Sequence, residues 1–410
     1  MSIVIYTSGC RLNFAETEEL IDILGKKKIN TSLGSKKIII IRSCSVTKKA
    51  EKESQIKINQ IRKKEKKAFI IAAGCLSKNF IAPAADLILE KRKEKKLIPL
   101  LLKFVKKRDS VGEQFKKKQL RTRSFIKIQD GCSNHCTYCL ITILRGQEKS
   151  KKSWQIIKTI KEKEKQGFQE IVLTGVNIVN WRERDKDFVW LFKKILKETS
   201  ILRIRISSCW PDKINEKFLN LFENKRLGRH LHLSLQSLSD SVLRRMGRIY
   251  KKKIILKKIF KIKKRFPDLS ISADVIVGFP GETAKEFNQT VNAIRKIGLF
   301  KIHVFRFSAR QGTKASIMLK QVNQKIKKER SRKMLALSEE LNKKWCKKFI
   351  GQKREVLFEQ KKNGFWQGLT DNYLRVFSKS KKNLSNKILL VKLKEICNNG
   401  ILGEILKDAD

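Results

Sequence analysis

Phe125-Ile-Lys-Ile-Gln-Asp-Gly-Cys132-Ser-Asn-His-Cys136-Thr-Tyr-Cys139-Leu-Ile-Thr-Ile-Leu-Arg145-Gly146 is the stretch that decides how the chain reads. The run Phe125, Ile126, Ile128 predicts a short strand, and Asp130-Gly131 turns it into a loop with three cysteines within eight residues. Three thiolates from one loop can hold a 4Fe-4S cluster by three of its four irons. The fourth iron then stays open, and an open position on a bound metal points to chemistry rather than scaffolding. A zinc site would need a fourth ligand. His135 is the one the loop offers, but it lies directly beside Cys136 and would strain a shared tetrahedron.

The chain around this loop has 410 residues, enough for two or three domains, and 41% hydrophobic residues, enough for proper cores. Its formal charge is +56, with 95 Lys and Arg against 39 acidic residues. That excess fits a polyanionic partner, and it equally fits compositional drift toward lysine, so charge alone assigns no function. Nine cysteines without dense spacing exclude a secreted disulfide scaffold and predict a reducing cytoplasm. The first residues lack the basic and apolar regions of a signal peptide, and no apolar run approaches about 20 residues, so no membrane association is expected.

Before the loop, apolar strands are predicted at Ser2–Thr7, 37–41 and 68–72, with a helix over 15–24. Each strand runs into a cysteine: Cys10, Cys44 and Cys75. Carboxyl ends of parallel strands gather ligands along one edge, so the three are expected to converge on a second iron-sulfur site. A lone buried cysteine usually packs as a small hydrophobe, but three at one topological position are harder to dismiss. Gly9 and Gly74 are expected to let backbone approach the cluster. Residues 91–113 are expected to give an edge element and a linker ending near Leu120.

After Arg123, strands predicted at 125–128, 170–174, 202–207, 230–236, 271–278 and 301–307 alternate with helical stretches, the pattern of a partial (β/α)6 barrel. Barrel chemistry lies at the carboxyl strand ends, here Thr174-Gly175-Val176-Asn177, Ser207-Ser208, Gln236-Ser237, Gly278–Glu282 and Ser308-Ala-Arg310. A long helix is predicted over 323–347, and five short β-prone runs after Gly351 predict a small β-barrel. The basic loops and the aromatics Phe365, Trp366 and Tyr373 of that barrel suit RNA, with Trp366 and Tyr373 expected to be exposed. The fold class is therefore α/β: an open N-terminal sheet domain, a central partial barrel and a terminal β-barrel.

The spacing Cys132-x-x-x-Cys136-x-x-Cys139, with Tyr138 between the last two, resembles the signature of radical S-adenosylmethionine enzymes. End to end, the chain resembles the radical methylthiotransferases through Thr7–Asn13, Ser43–Thr47, Gly74-Cys75 and Lys127–Cys132. Leu173–Asn177, Ile206–Ser208, His230–Ser237 and Asp274–Glu282 resemble the branch acting on threonylcarbamoyladenosine in tRNA, the MtaB type. Arg42, Thr142, Ser234 and Cys209-Trp210 depart from that pattern, while the ligand cysteines do not. The resemblance implies a methylthiotransferase domain over 1–112, a radical core over 118–347 and a TRAM barrel over 348–410. It implies two 4Fe-4S clusters: one on Cys132, Cys136 and Cys139 that cleaves S-adenosylmethionine to a radical, and one on Cys10, Cys44 and Cys75 that carries the sulfur. Tyr138, Gly175, Asn177, Ser207, Gln236, Asp274 and Gly278 are the implied cofactor-binding residues. Also implied are a tRNA anticodon stem-loop as substrate, flavodoxin or ferredoxin as electron donor, a monomer, and a methylthio group added at carbon 2 of the adenosine. Sister enzymes act on isopentenyladenosine in tRNA or on a ribosomal-protein aspartate, and an RNA-binding protein with structural metal is the non-enzyme alternative. Cys209, Cys346 and Cys397 are expected to be non-ligands.

Overall fold

The computed structural model describes residues 2–26, 37–106, 122–397 and 400–406. They form two compact units. One gathers the N-terminal segment, Asp130–Lys149 and Ser308–Ser316; the other holds 121–129, Ser150–Phe307 and the chain from Ile317 onward. The expected linker near Leu120 and the boundaries at 112 and 118 lie outside the described residues.

The first unit is built on a four-stranded parallel sheet in chain order, β1 (Ser2–Thr7), β2 (Lys37–Cys44), β3 (Phe69–Cys75) and β4 (Leu87–Leu89). Its strands are near-continuous apolar runs because both faces are covered. Ile38, Ile40, Ile71 and Ala73 pack with Leu20 and Leu24 of α1 (Arg11–Lys26) and with Leu97 and Leu101 of α3 (Leu97–Lys106). Ile39, Ile41, Ile70 and Ala72 pack with Ile58 and Ile61 of α2 (Lys48–Lys64), whose start is capped by Thr47 accepting from the Ala50 N–H. Two expectations shift. The edge strand is Leu87–Leu89, and the apolar run from Leu97 is helical because its leucines cover the sheet face. β2 and β3 run on to Cys44 and Cys75, so these cysteines close the ladder rather than follow it.

In the second unit, parallel strands follow one another in chain order: Arg123–Lys127, Glu170–Thr174, Arg203–Ile206, Ser208–Cys209, His230–Gln236, Ser270–Val277 and Lys301–Arg306. The third predicted strand breaks at Ser207, where pairing passes from Glu170–Thr174 to His230–Gln236. The long helix Gln324–Lys347, capped by Asn323, lies along the last strand, and its Ser338 Oγ accepts the Ile302 N–H at 2.9 Å.

Residues from Lys353 close a five-stranded barrel, joined to that helix by an apolar cluster of Phe300, Trp345, Phe349, Val356, Phe358 and Trp366. Here the sequence reading needs correction. Trp366, expected to be exposed, is only 7% exposed, because the strand alternation turns it inward. Tyr373 is half-buried: its ring covers the Arg205 guanidinium, 4.1 Å from the ring centroid, and lies 4.1 Å from the His230 ring. Neither is an exposed stacking platform.

Tyr373 marks the barrel's seat. Arg205 donates to the carbonyls of Asp371 and Thr370, both at 2.7 Å, and to Glu170 Oε1 at 2.7 Å. Arg203 and Arg123 flank the same carboxylate at 3.6 and 3.7 Å, and Arg123 also reaches Glu359 of the barrel at 2.7 Å. Glu170, Arg203 and Arg123 each open a strand, so the barrel is seated at the amino ends of the core strands.

Burial disfavours ionised Glu170, but Arg205, Arg123 and Arg203 outweigh it and hold its pKa below the usual carboxylate range. Glu170→Gln, which leaves buried guanidinium charge uncompensated, should cost about 3–5 kcal/mol in denaturant unfolding. Because the folded pKa is lowered, that contribution is complete above the unfolded carboxylate pKa and is lost as pH falls through the folded one. The gap between wild type and variant should therefore narrow in acid; a gap under ~1 kcal/mol at neutral pH would make the seat a minor contributor.

Candidate active site

Cys44 and Cys75 are paired across the last rung of β2 and β3. Cys10 follows β1 by three residues and is exposed. Burial, with the neighbouring Cys75 and Cys10 acting in the same sense, pushes the Cys44 thiol up to about 12. The glycines beside them serve a different end from the one expected. A Cβ on Gly9, whose φ is +96°, would meet Asn13 Nδ2 at 2.9 Å and Cys44 Cβ at 3.1 Å; one on Gly74, φ +119°, would meet the Ser43 carbonyl oxygen at 2.6 Å. They let the strand ends close up on protein. Asn13 completes this by donating to the carbonyls of Ser8 and Ser43, both at 3.0 Å.

The second triad sits on the Asp130–Lys149 segment of the same unit. Gly131 must turn with φ +67°, since a Cβ there would lie 2.0 Å from the Gln147 carbonyl oxygen. Cys132 is buried, Cys136 and Cys139 are half-buried, and His135 is exposed. Asn134 Nδ2 donates to Cys132 Sγ and the Ile141 N–H to Cys139 Sγ, both at 3.4 Å. The loop leads into α4 (Ile141–Arg145), and Leu140, Ile141 and Leu144 pack on Cys44 and Cys75. One apolar wall thus borders both triads.

Among the described residues, no three of His, Cys, Asp and Glu converge on a single metal ion. Each triad supplies three thiols, the donor chemistry that a 4Fe-4S cluster takes.

Charged residues tie this unit together. Arg145, at the end of α4, bonds Glu16, Asp130 and Cys75. Arg42, which departs from the family pattern that the sequence resembles, is buried against Glu16 at 2.8 Å and against Glu94. Arg310, expected on the barrel rim, belongs to this unit and donates to the Ser45 carbonyl at 2.7 Å and to Glu51 at 2.6 Å. Tyr138 is half-buried on the Cys132 loop.

The remaining predicted residues lie in the second unit. Gln129 Oε1 accepts the N–H groups of Val176 and Asn177, both at 2.9 Å, and Gly175 packs on Gln129. Asn177 is fully buried with neither amide atom paired, and Ser207 Oγ is likewise buried and unpaired. Such unsatisfied groups are costly unless something bonds them, and a polar cofactor would. Asp274 lies 3.2 Å from His232 Nε2, and His232 Nδ1 is 2.8 Å from Ser208 Oγ. His303 stands edge-on to His232 with ring centroids 5.2 Å apart. Gln236 adopts φ +65° where the pairing with Ser270–Val277 slips. Gly278 is held elsewhere: its N–H bonds Glu282 at 2.7 Å, and a Cβ would meet Lys327 Cγ at 2.4 Å. Ser208 was expected on the rim, while His232 was not singled out, although the His230-Leu-His232-Leu-Ser234 alternation carried the signal. Cys209 and Cys346 are buried, and burial pushes both thiols up.

Comparison with known proteins agrees with this layout. The radical SAM superfamily model matches residues 126–294, and the model described as Uncharacterized protein family UPF0004 matches residues 2–96. The threonylcarbamoyladenosine tRNA methylthiotransferase MtaB of Thermotoga maritima is 36% identical, covering 87% of this chain and 86% of its own length. The MtaB of Bacillus subtilis is 30% identical over 96% of this chain and 93% of its own length. The tRNA-2-methylthio-N(6)-dimethylallyladenosine synthase of Endomicrobium trichonymphae is 29% identical over 99% of this chain and all of its own. Among solved structures, the radical S-adenosylmethionine methyltransferase TsrM of Kitasatospora setae, with cobalamin and a [4Fe-4S] cluster bound, matches with a TM-score of 0.55. It is 13% identical over 77% of each chain, a likeness of fold alone. With relatives of this identity spanning nearly its whole length, the chain belongs to the radical S-adenosylmethionine tRNA methylthiotransferases, enzymes that work with a 4Fe-4S cluster and S-adenosylmethionine.

Proposed function

We propose that the chain adds a methylthio group to carbon 2 of threonylcarbamoyladenosine next to the anticodon of tRNA. Cys132, Cys136 and Cys139 hold the cluster that works with S-adenosylmethionine, and Cys10, Cys44 and Cys75 hold a second. The observation that carries this reading is the meeting of two thiol triads in one unit, with Leu140, Ile141 and Leu144 walling off Cys44 and Cys75. The choice of threonylcarbamoyladenosine is supported by the 36% identical relative of that name. When bound, the cluster and S-adenosylmethionine supply a carbon-centred radical that abstracts hydrogen.

The chain's own residues do the rest. The N–H donors of Asn134 and Ile141 fix the loop sulfurs. Within the second unit, Asn177, Ser207, Gln236 and Asp274 offer polar groups suited to S-adenosylmethionine, with Gly175 packed on Gln129; within the first, Tyr138 belongs to the three-cysteine loop. The Ser208–His232–Asp274 chain holds its polar atoms in fixed orientation. The domains are read as 1–112, 118–347 and 348–410, the protein as a cytoplasmic monomer, and the electron donor as a flavodoxin or ferredoxin. Among the described residues, no helix is long and apolar enough to cross a membrane.

Anaerobic reconstitution should load about eight irons per chain, and the combined Cys132→Ala, Cys136→Ala, Cys139→Ala variant about four, by the four irons of each cluster. One zinc per chain and no iron would refute the assignment. Nucleoside mass spectrometry of tRNA from cells with and without the protein decides the substrate. Loss of the methylthio form of threonylcarbamoyladenosine is expected; loss of the dimethylallyladenosine form instead would assign the sister activity.

With Trp366 and Tyr373 turned inward, RNA contact by the barrel falls to its exposed lysines, among them Lys362, Lys379, Lys381 and Lys382. Replacing the last three by alanine should weaken tRNA binding and flatten its salt dependence by roughly 0.7–0.9 in log–log slope for each phosphate no longer neutralised. An unchanged slope would take this loop out of the tRNA footprint.

A further inference from the structure

The charges around the first thiol triad are fixed in place. Arg145 has a side chain only 1% exposed, and its guanidinium is held from several directions. Nε donates to Cys75 Sγ at 3.4 Å; Nη1 donates to Glu16 Oε1 and Asp130 Oδ1, both at 2.8 Å; Nη2 reaches Glu16 Oε2 at 3.3 Å. Glu16 is itself fixed by Arg42 at 2.8 Å and Lys91 at 2.6 Å. A planar fork held this way cannot swing off the sulfur without breaking several charge-assisted bonds. Cys132 Sγ accepts from the Asn134 carboxamide and Cys139 Sγ from the Ile141 backbone N–H, both neutral donors.

We propose that Arg145 is a positioning residue that sets the reduction potential of the cluster on Cys10, Cys44 and Cys75, through its charged N–H···S bond to Cys75. The inference rests on the two-cluster reading of the proposed function. Reduction adds an electron to a cluster already bearing negative thiolates and sulfides, and hydrogen bonds to sulfur, net charge and solvent exposure are the protein's controls on how readily that happens. A fixed cation on a ligand sulfur, in a site walled by Leu140 and Leu144, favours the more negative, reduced state. Glu16 acts in the opposite sense, as a counter-charge that holds the cation and partly offsets it. Because Arg145 also grips Asp130, just before Cys132, the same side chain links the two triads.

The test is an anaerobic redox titration followed by electron paramagnetic resonance. It uses the full chain with both clusters, and the Cys132→Ala, Cys136→Ala, Cys139→Ala chain to assign the signal. Arg145→Gln should lower the potential of the first-triad cluster by at least a tenfold change in its reduction equilibrium, about 59 mV for one electron. Glu16→Gln should raise it, and Arg145→Lys should fall between wild type and Arg145→Gln. A wild-type chain that holds only about four irons would defeat the two-cluster reading itself. Full iron with the same potential in wild type, Arg145→Gln and Glu16→Gln would overturn the role of Arg145 alone. Should Arg145→Gln fail to hold iron, Arg145→Lys and Glu16→Gln carry the test, and equal potentials in those two overturn the proposal.

Discussion

β2 and β3 run parallel and in register from Ile38 opposite Phe69 to Cys44 opposite Cys75, and the first unit depends on that last rung. A strand covered on both faces has no polar side to penalise a slip, so hydrophobic alternation alone cannot set its register. Size does so here. Ala72, Ala73 and Gly74 stand opposite Ile41, Arg42 and Ser43, and only glycine fits where a Cβ would lie 2.6 Å from the Ser43 carbonyl. A shift by one residue would put a methyl group into that space and turn one of the two cysteines to the other face. The Arg145 fork, the Leu140–Leu144 wall and the seat of Asn13 all presuppose the pair as it stands.

The second unit divides its labour along the strands. At their amino ends, one buried carboxylate, Glu170, gathers Arg123, Arg203 and Arg205, and through them the turn of the terminal barrel. Further along lie Ser207 and Asn177, with their unpaired polar atoms, and the linked set Ser208, His232 and Asp274. The seat of the barrel is thus kept at the end opposite to the one where parallel barrels carry their working groups, the carboxyl ends of the strands. Most polar groups of this interior have partners, and Asn177 and Ser207 are among those that keep unpaired atoms.

Much of this was legible in the sequence, and the reasons differ by element. Glu170–Thr174 and His230–Gln236 are runs bounded by turns or polar stretches, so their ends were readable to the residue. The three-cysteine loop was readable because its ligands are local. The Glu16–Arg42–Arg145–Asp130 set was not, since its members are spread over more than a hundred residues and each resembles an ordinary surface charge until the fold removes water. Trp366 and Tyr373 were misjudged for a related reason. A β-barrel of short strands alternates inward and outward, and the phase is set by closure of the barrel and by its seat on Arg205, neither of which composition records.

The first unit is discontinuous in sequence, and this bears on how it forms during synthesis. Its sheet is complete once β4 has emerged, yet Arg145 follows Cys75 by 70 residues and Arg310 follows Ser45 by 265. At about 5–20 residues per second, Cys75 waits roughly 4–14 s and Cys44 roughly 5–20 s for α4, and both wait longer still for Arg310. Through that interval the thiols at the sheet edge lack their apolar cover, open to oxidants and to adventitious metal alike. A nascent chain of this topology therefore has a vulnerable age, set by the order of its segments rather than by the stability of the finished protein.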